Sequence, residues 1–172
     1  MSFKTASLTL IVTLIALGSM PAGAQDAPAL IPAATTQTCR ITSVHDGDSL
    51  RVRCAGHNRT IPIRLAQLDA PELNQAHGLA SRDYLRSICP IQDDAVIHSL
   101  GQDQYRRILA EVYCGGIHAN VAMIESGHAW VYDDYAHDEA LYRAQDAART
   151  ARLGLWAGRN AIAPWRFRRT RP

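Results

Sequence analysis

Short runs that mix apolar and polar positions begin at Thr38 and dominate the first half of the chain. Arg40-Ile41-Thr42-Ser43-Val44-His45 and Asp48-Ser49-Leu50-Arg51-Val52-Arg53 are joined by Asp46-Gly47. An Asp-Gly pair between two such runs predicts a β-hairpin whose turn residues both take positive φ. A two-residue turn sets Ile41 opposite Val52, Arg40 opposite Arg53 and Cys39 opposite Cys54. A third strand is predicted over Thr60–Leu68, where Pro62 implies an edge or a bulge because proline cannot donate to the ladder. Two more strands follow at Ala95–Leu100 and Ile108–Cys114.

Helical spacing appears in three places. Gly78–Ile88 places Ala80, Tyr84, Leu85 and Ile88 on one face. Asn120–Ser126 is a short helix stopped by Gly127. Asp138–Leu153 carries the stripe Leu141, Ala144, Ala148 and Ala151, with Gly154 as its C-terminal stop. Five short strands with three helices predict a mainly β, α+β fold, a five-stranded OB-type barrel. No internal repeat is present.

The N-terminal segment is of a different kind. Residues 1–24 hold one charged residue, Lys4, an apolar stretch from Leu8 to Leu17, and Ala22-Gly23-Ala24. That order is a signal peptide with an A-x-A cleavage site, and the apolar stretch is too short for the roughly 20 residues that span a bilayer. The expectation is therefore an exported protein, periplasmic or secreted, with no membrane partner and monomeric. Residues 25–37, rich in Ala, Pro and Thr, are predicted to be a flexible leader. The folded domain then covers 38–166, and the basic stretch 167–172 is a frayed, solvated tail.

At 172 residues, with 20% charged and 47% hydrophobic, the chain has the make-up of one globular domain and excludes a disordered or collagen-like class. Lys4 is the only lysine, so beyond Ala24 the positive charges are all arginine and barely outnumber the acidic ones. No general electrostatic footprint for nucleic acid exists, and phosphate contacts must come from local arginines. Four cysteines in an exported chain predict two disulfides. The hairpin register points to Cys39–Cys54, since paired strands hold their Cα atoms within disulfide range. Cys89–Cys114 follows by elimination. The seven histidines are scattered without metal-ligand spacing and read as turn or solvated residues. Trp130 and Trp156 read as core.

Three clusters stand out together: Asp46-Gly47-Asp48, the stretch from Arg64 to Glu72, and Asp103-Gln104-Tyr105-Arg106-Arg107. Singly, each has a plain structural reading, as turn formers, a helix entry and a strand-edge charge. Their ordered combination resembles the staphylococcal-nuclease-like, or thermonuclease, family. The matching pieces are Val44-His45-Asp46-Gly47-Asp48-Ser49, Arg64-Leu65, Leu68-Asp69-Ala70-Pro71-Glu72 and Asp103-Gln104-Tyr105-Arg106-Arg107. Ser126-Gly127-His128-Ala129-Trp130, Gly154-Leu155-Trp156 and Pro164-Trp165-Arg166 add to them, so the resemblance runs from about Cys39 to Arg166.

The resemblance implies an OB-type barrel and Ca²⁺-dependent hydrolysis of phosphodiester bonds in DNA and RNA, single strands preferred, releasing 3′-phosphate products. Carried over by motif position, Asp48 and Asp69 are the calcium carboxylates and Ala70 contributes its carbonyl. Glu72 is the general base, and Arg64 and Arg107 are the catalytic arginines. Tyr105, Tyr132 and Tyr135 are candidate substrate contacts, by stacking or hydrogen bonding, with ordinary barrel-edge roles equally open. Two departures mark this chain: Arg106 stands where the family commonly has Gly, and Gln104 lies where a nucleotide-binding lysine is found.

The residue types suit the chemistry. Calcium takes six to eight hard oxygens, a carboxylate beside it accepts a water's proton, and planar guanidinium groups match the equatorial oxygens of a phosphorane-like transition state. Arg64 and Asp69 are an odd number of residues apart and would face opposite ways on one regular strand. For both to reach one phosphate, the strand must end near Ala66–Asp69. The alternative reading is an OB-fold nucleic-acid-binding module without turnover, and a third is a structural exported domain with an incidental acidic turn.

Overall fold

The computed structural model describes Ile31 and residues 33–170. The predicted signal peptide, and the leader up to residue 30, lie outside the described residues. In chain order the elements are β1 (Thr36–Val44), β2 (Ser49–Cys54), β3 (Ile61–Leu65), β4 (Leu68–Asp69), α1 (Gly78–Ile88), β5 (Asp94–Gln102), β6 (Ile108–Cys114) and β7 (Ile117–His118). They continue with α2 (Ala119–Glu125), β8 (Trp130–Val131), α3 (Glu139–Thr150), a 3₁₀ turn (Gly154–Ala157) and α4 (Pro164–Arg169).

Five strands close a barrel in the order β3-β2-β1-β5-β6, with β3 pairing parallel to β6 through Ile63–Ile108, Arg64–Leu109 and Leu65–Ala110. The expected OB-type barrel is present. Its alternation is that of strands with one dry face: Ile41, Val52, Ile61, Ile63, Ile97, Ile108 and Val112 are fully buried inside it. β7 extends the sheet beyond β6, and β4 pairs with β8 as a separate two-stranded ribbon. Pro62 is tolerated because the β3–β6 pairing starts only at Ile63, which leaves proline's missing donor on an unpaired side.

The first hairpin has the expected register far from its turn and a different one at it. Cys39–Cys54, Arg40–Arg53 and Ile41–Val52 pair as predicted, but beyond a bulge at Thr42 the pairs are Ser43–Arg51 and Val44–Leu50. The bulge absorbs one residue, so the connection is a three-residue loop, Asp46-Gly47-Asp48, and neither Asp46 nor Gly47 has positive φ. Both predicted disulfides are present, with Cα separations of 4.3 Å for Cys39–Cys54 and 5.2 Å for Cys89–Cys114. The second ties the end of α1 to the end of β6.

Four further expectations change. Thr36 and Gln37, assigned to the leader, pair with His98 and Ile97 of β5, and Ile31 is buried in the core. On α1 the buried positions are Gly78, Ser81 and Leu85, whereas Ala80 is exposed. Small residues face inward there because loops press against them. On α3 the buried positions are Leu141, Gln145 and Ala148, Ala151 is exposed, and the helix ends at Thr150, so that Arg152 (φ 54°) takes the first left-handed turn after it and Gly154 (φ 50°) a second. The fourth change is α4 itself: Pro164 opens a helix at the position where its fixed φ and missing N–H cost nothing, and the expected frayed tail is ordered through Arg169.

Asn120 fixes the exit of β3. Its side chain is buried, accepts the Val112 N–H at 3.0 Å, and donates to the carbonyls of Ala66 (3.1 Å) and Ala110 (3.0 Å). Asn120→Ala removes the side-chain partner of the Val112 N–H and the Ala66 carbonyl, each costing about 1–3 kcal/mol when left unpaired, whereas the Ala110 carbonyl keeps the Ala66 N–H at 2.9 Å. The urea midpoint of the variant is expected to fall by at least about 2 kcal/mol equivalent at unchanged m-value; a midpoint within error of wild type would show that the turn holds without this side chain.

Candidate active site

Three chain segments meet at the end of the barrel where β2 and β3 begin and end. The Asp46-Gly47-Asp48 loop arrives from β1, Arg64 projects from β3, and Asp69-Ala70-Pro71-Glu72 leaves β4. β3 ends at Leu65, and Gln67 takes a left-handed φ of 66°. That break lets Arg64 and Asp69 meet, as the parity argument requires: Arg64 Nη2 lies 3.2 Å from Asp69 Oδ1. The same guanidinium reaches Asp48 Oδ2 at 2.5 Å and the Leu68 carbonyl at 3.2 Å. Asp48 Oδ2 also accepts the Ala70 N–H at 3.0 Å.

Both aspartates are nearly inaccessible, Asp48 at 5% and Asp69 at 1%. Burial alone would raise the Asp48 carboxyl, but Arg64 and the Ala70 N–H outweigh it and hold the group below the ordinary carboxylate value. Asp69 goes the other way, because burial, with the Asp48 charge, outweighs its arginine partners. Burial, then the Asp48 charge, pushes the Asp46 carboxyl up to about 6. Asp46 was read from sequence as a turn former; it also lines the site and holds the loop by accepting the Asp48 N–H at 3.1 Å and the Ser49 hydroxyl at 2.5 Å.

Asp48, Arg64, Asp69, Ala70, Glu72, Tyr105, Arg107, Tyr132 and Tyr135 all line one cavity of about 750 Å³. Every predicted site residue is thus brought to the same place. Arg107 is held by Asp103, whose carboxylate accepts its backbone N–H and its Nε, each at 2.8 Å, and its guanidinium lies 5.6 Å from the Tyr105 ring centroid. Tyr105 and Tyr135 are exposed at 72% and 61%, whereas Tyr132 stacks on Trp165 of α4 at 5.5 Å. Arg106 has φ of 63°, a conformation glycine adopts without strain, which explains the residue common at that position. Its side chain does not line the cavity.

Besides Asp46, a second residue at the site went unread in the sequence. Arg168 of α4 places Nη2 2.8 Å from Asp69 Oδ2 and Nη1 2.9 Å from Glu72 Oε1. The only sequence signal was Pro164 as a helix opener. Behind the site, His77 Nε2 lies 2.9 Å from His128 Nδ1, and Tyr84 stacks on His128 at 4.3 Å, so two of the scattered histidines form a pair. Trp130 and Trp156, expected in the core, are half-buried and share the Arg149 guanidinium at 5.0 and 4.4 Å.

The family model described as "Staphylococcal nuclease homologue" matches residues 62–158. The chain belongs to that family. It is 39% identical over 132 residues to an "Uncharacterized endonuclease" of Haemophilus influenzae, covering 77% of this chain and 73% of that protein. An Escherichia coli "Uncharacterized endonuclease" is 35% identical over 75% of this chain and 83% of its own length. A "Micrococcal nuclease" of Shigella flexneri is 33% identical over 81% and 84% respectively.

The donor set at the cavity is made of hard oxygens: Asp48 and Asp69, with Asp46 beside them. Burial, and then the neighbouring Asp48 charge, raises both Asp46 and Asp69. Two carboxylates suit a hard divalent cation that takes its remaining oxygens from a carbonyl and water, and among the described residues no group of three or more His, Cys, Asp or Glu is placed to hold a metal ion. Among the described residues no helix is long and apolar enough to cross a membrane.

Two consequences can be measured. A Cβ on Gly47 would stand 1.9 Å from Ser81 Oγ and 2.8 Å from Ala70 Cβ, so Gly47→Ala is expected to destabilise by about 1–3 kcal/mol in chemical denaturation, as overpacking does. Burial and then His77 hold His128 down to about 4. The unfolded chain takes up that proton near 6.5 and the folded chain only near 4, so stability from this group is complete above 6.5 and lost as pH falls toward 4. His128→Phe is expected to flatten that limb of the melting-temperature profile; parallel curves for the two proteins would rule it out.

Proposed function

We propose that the protein is an exported, calcium-dependent nuclease that hydrolyses phosphodiester bonds of DNA and RNA with little sequence specificity. The observation that carries this reading is the convergence of two buried aspartates, a part-exposed glutamate and two arginines on one cavity bordered by tyrosines. The nuclease names of relatives that align over most of the chain support it.

Asp48, Asp69 and the Ala70 carbonyl would hold calcium, which when bound draws a water and a phosphate oxygen together and offsets developing charge. Glu72 accepts the proton of the attacking water. Its loop is braced: the Glu72 N–H donates to Gln75 Oε1 at 3.2 Å, and Gln75 Nε2 donates to the Ile162 carbonyl at 2.7 Å. Arg64 and Arg107 pair with the equatorial oxygens of the phosphate as charge builds on them. Tyr105, Tyr132 and Tyr135 stack on or bond flanking nucleotides, which favours single strands whose bases are free. The products carry 3′-phosphates. The two disulfides support work in an oxidising compartment, the periplasm or beyond, and the chain is proposed to act as a monomer.

The test is hydrolysis of single-stranded DNA with calcium and then with a chelator. Activity is expected to vanish on chelation and to fall about 10²–10⁴-fold in Glu72→Gln, the usual contribution of a general base. Retained nucleic-acid binding with no turnover in the wild-type protein would replace this reading with the binding module.

A further inference from the structure

The Arg168 guanidinium grips the two carboxylates on which the proposed chemistry turns. Its Nη2 is 2.8 Å from Asp69 Oδ2, its Nη1 is 3.2 Å from Asp69 Oδ1, and the same Nη1 is 2.9 Å from Glu72 Oε1. Asp69 Oδ1 also receives Arg64 Nη2 at 3.2 Å. A carboxylate has about four lone-pair positions, and three on Asp69 are engaged. A divalent cation on Asp69 would therefore displace a donor and stand beside two guanidinium charges that repel it. Glu72, the proposed proton acceptor, has an oxygen already engaged.

The two arginines differ in what holds them. Arg64 is only 12% exposed, is paired on both sides of β3 opposite Ser49 and Leu109, and is tied to Asp48 and the Leu68 carbonyl as well as to Asp69. Arg168 is 40% exposed and lies in the last turn of a six-residue helix at the edge of the fold. The one that can yield is Arg168.

We propose that Arg168 and a divalent cation are mutually exclusive occupants of Asp69, so that α4 carries a built-in brake whose release accompanies metal entry. This rests on the calcium reading of Asp48 and Asp69. In this exchange no bond is made or broken covalently; one positive partner of Asp69 replaces another, and Glu72 is freed at the same time. The affinity measured for calcium is then the intrinsic one reduced by the fraction of molecules in which Arg168 has let go.

Calcium titration calorimetry on wild-type, Arg168→Gln and Arg168→Lys proteins tests it without reference to activity. Arg168→Gln is expected to bind calcium about tenfold more tightly, within the usual span of coupling between two ligands. Arg168→Lys, which keeps the charge but not the two-pronged grip, is expected to fall between. Hydrogen exchange at residues 166–169 of the wild-type protein is expected to speed up when calcium is added. Arg166→Gln, two residues earlier on the same helix, likewise exposed and outside these carboxylate contacts, serves as the charge control and leaves the affinity unchanged. Equal or weaker binding by Arg168→Gln overturns the exchange while the calcium reading stands. Absence of calcium binding to every variant overturns both.

Discussion

Asp48 and Asp69 are carried to within reach of one arginine by different parts of the chain, and both are almost completely removed from water. Arg64 is what makes that arrangement tolerable. Removing one partner of a buried ion pair typically costs about 3–5 kcal/mol because the other is left uncompensated. The rest of the structure at this end of the barrel follows from keeping the pair in place. Arg64 lies opposite Ser49 of β2 and Leu109 of β6, so its position is set by barrel closure rather than by its own loop. The Asp48 carbonyl accepts the Leu65 N–H at 2.8 Å, which binds the loop to the same strand.

The loops are held from behind by small residues. Gly47 packs on Ser81, and a Cβ on Gly78 would lie 1.9 Å from the Glu72 carbonyl oxygen. Ser81 in turn donates its hydroxyl to the His128 carbonyl at 2.6 Å, where the His77–His128 pair begins. α1 is thus less an apolar prop than a close-fitting backing for the two loops that carry the carboxylates. Side-chain size matters there more than hydrophobicity, since a methyl group would move the loop that positions Asp48.

The negative charge at the cavity is balanced by arginines from three places: β3, the start of β6 and α4. Each does a different job because each is anchored differently. Arg64 is buried between its carboxylates, Arg107 is steered by Asp103 along the cavity edge, and Arg168 arrives on an exposed final turn. With lysine absent from this region, every cation is planar and able to bond two oxygens at once. That property suits the phosphate recognition proposed for this site and lets Arg168 bond Asp69 and Glu72 at once.

Much of this was legible in the residues themselves. Local alternation located the barrel strands, and the spacing of apolar residues gave α1 and β6 their observed bounds. Cys39–Cys54 followed from strand pairing because register is a local property of a hairpin, and the bulge at Thr42 preserved it although the turn was of another kind. The odd separation of Arg64 and Asp69 required the break at Gln67. What the residues could not disclose were contacts between distant segments: the face α1 buries, the His77–His128 pair, and the placement of Arg168 against Asp69, 99 positions earlier. A basic terminal stretch has the same composition whether it is solvated or docked. Only closure of the barrel, which leaves two buried carboxylates with oxygens turned toward the cavity, gives one of its arginines a place to bind.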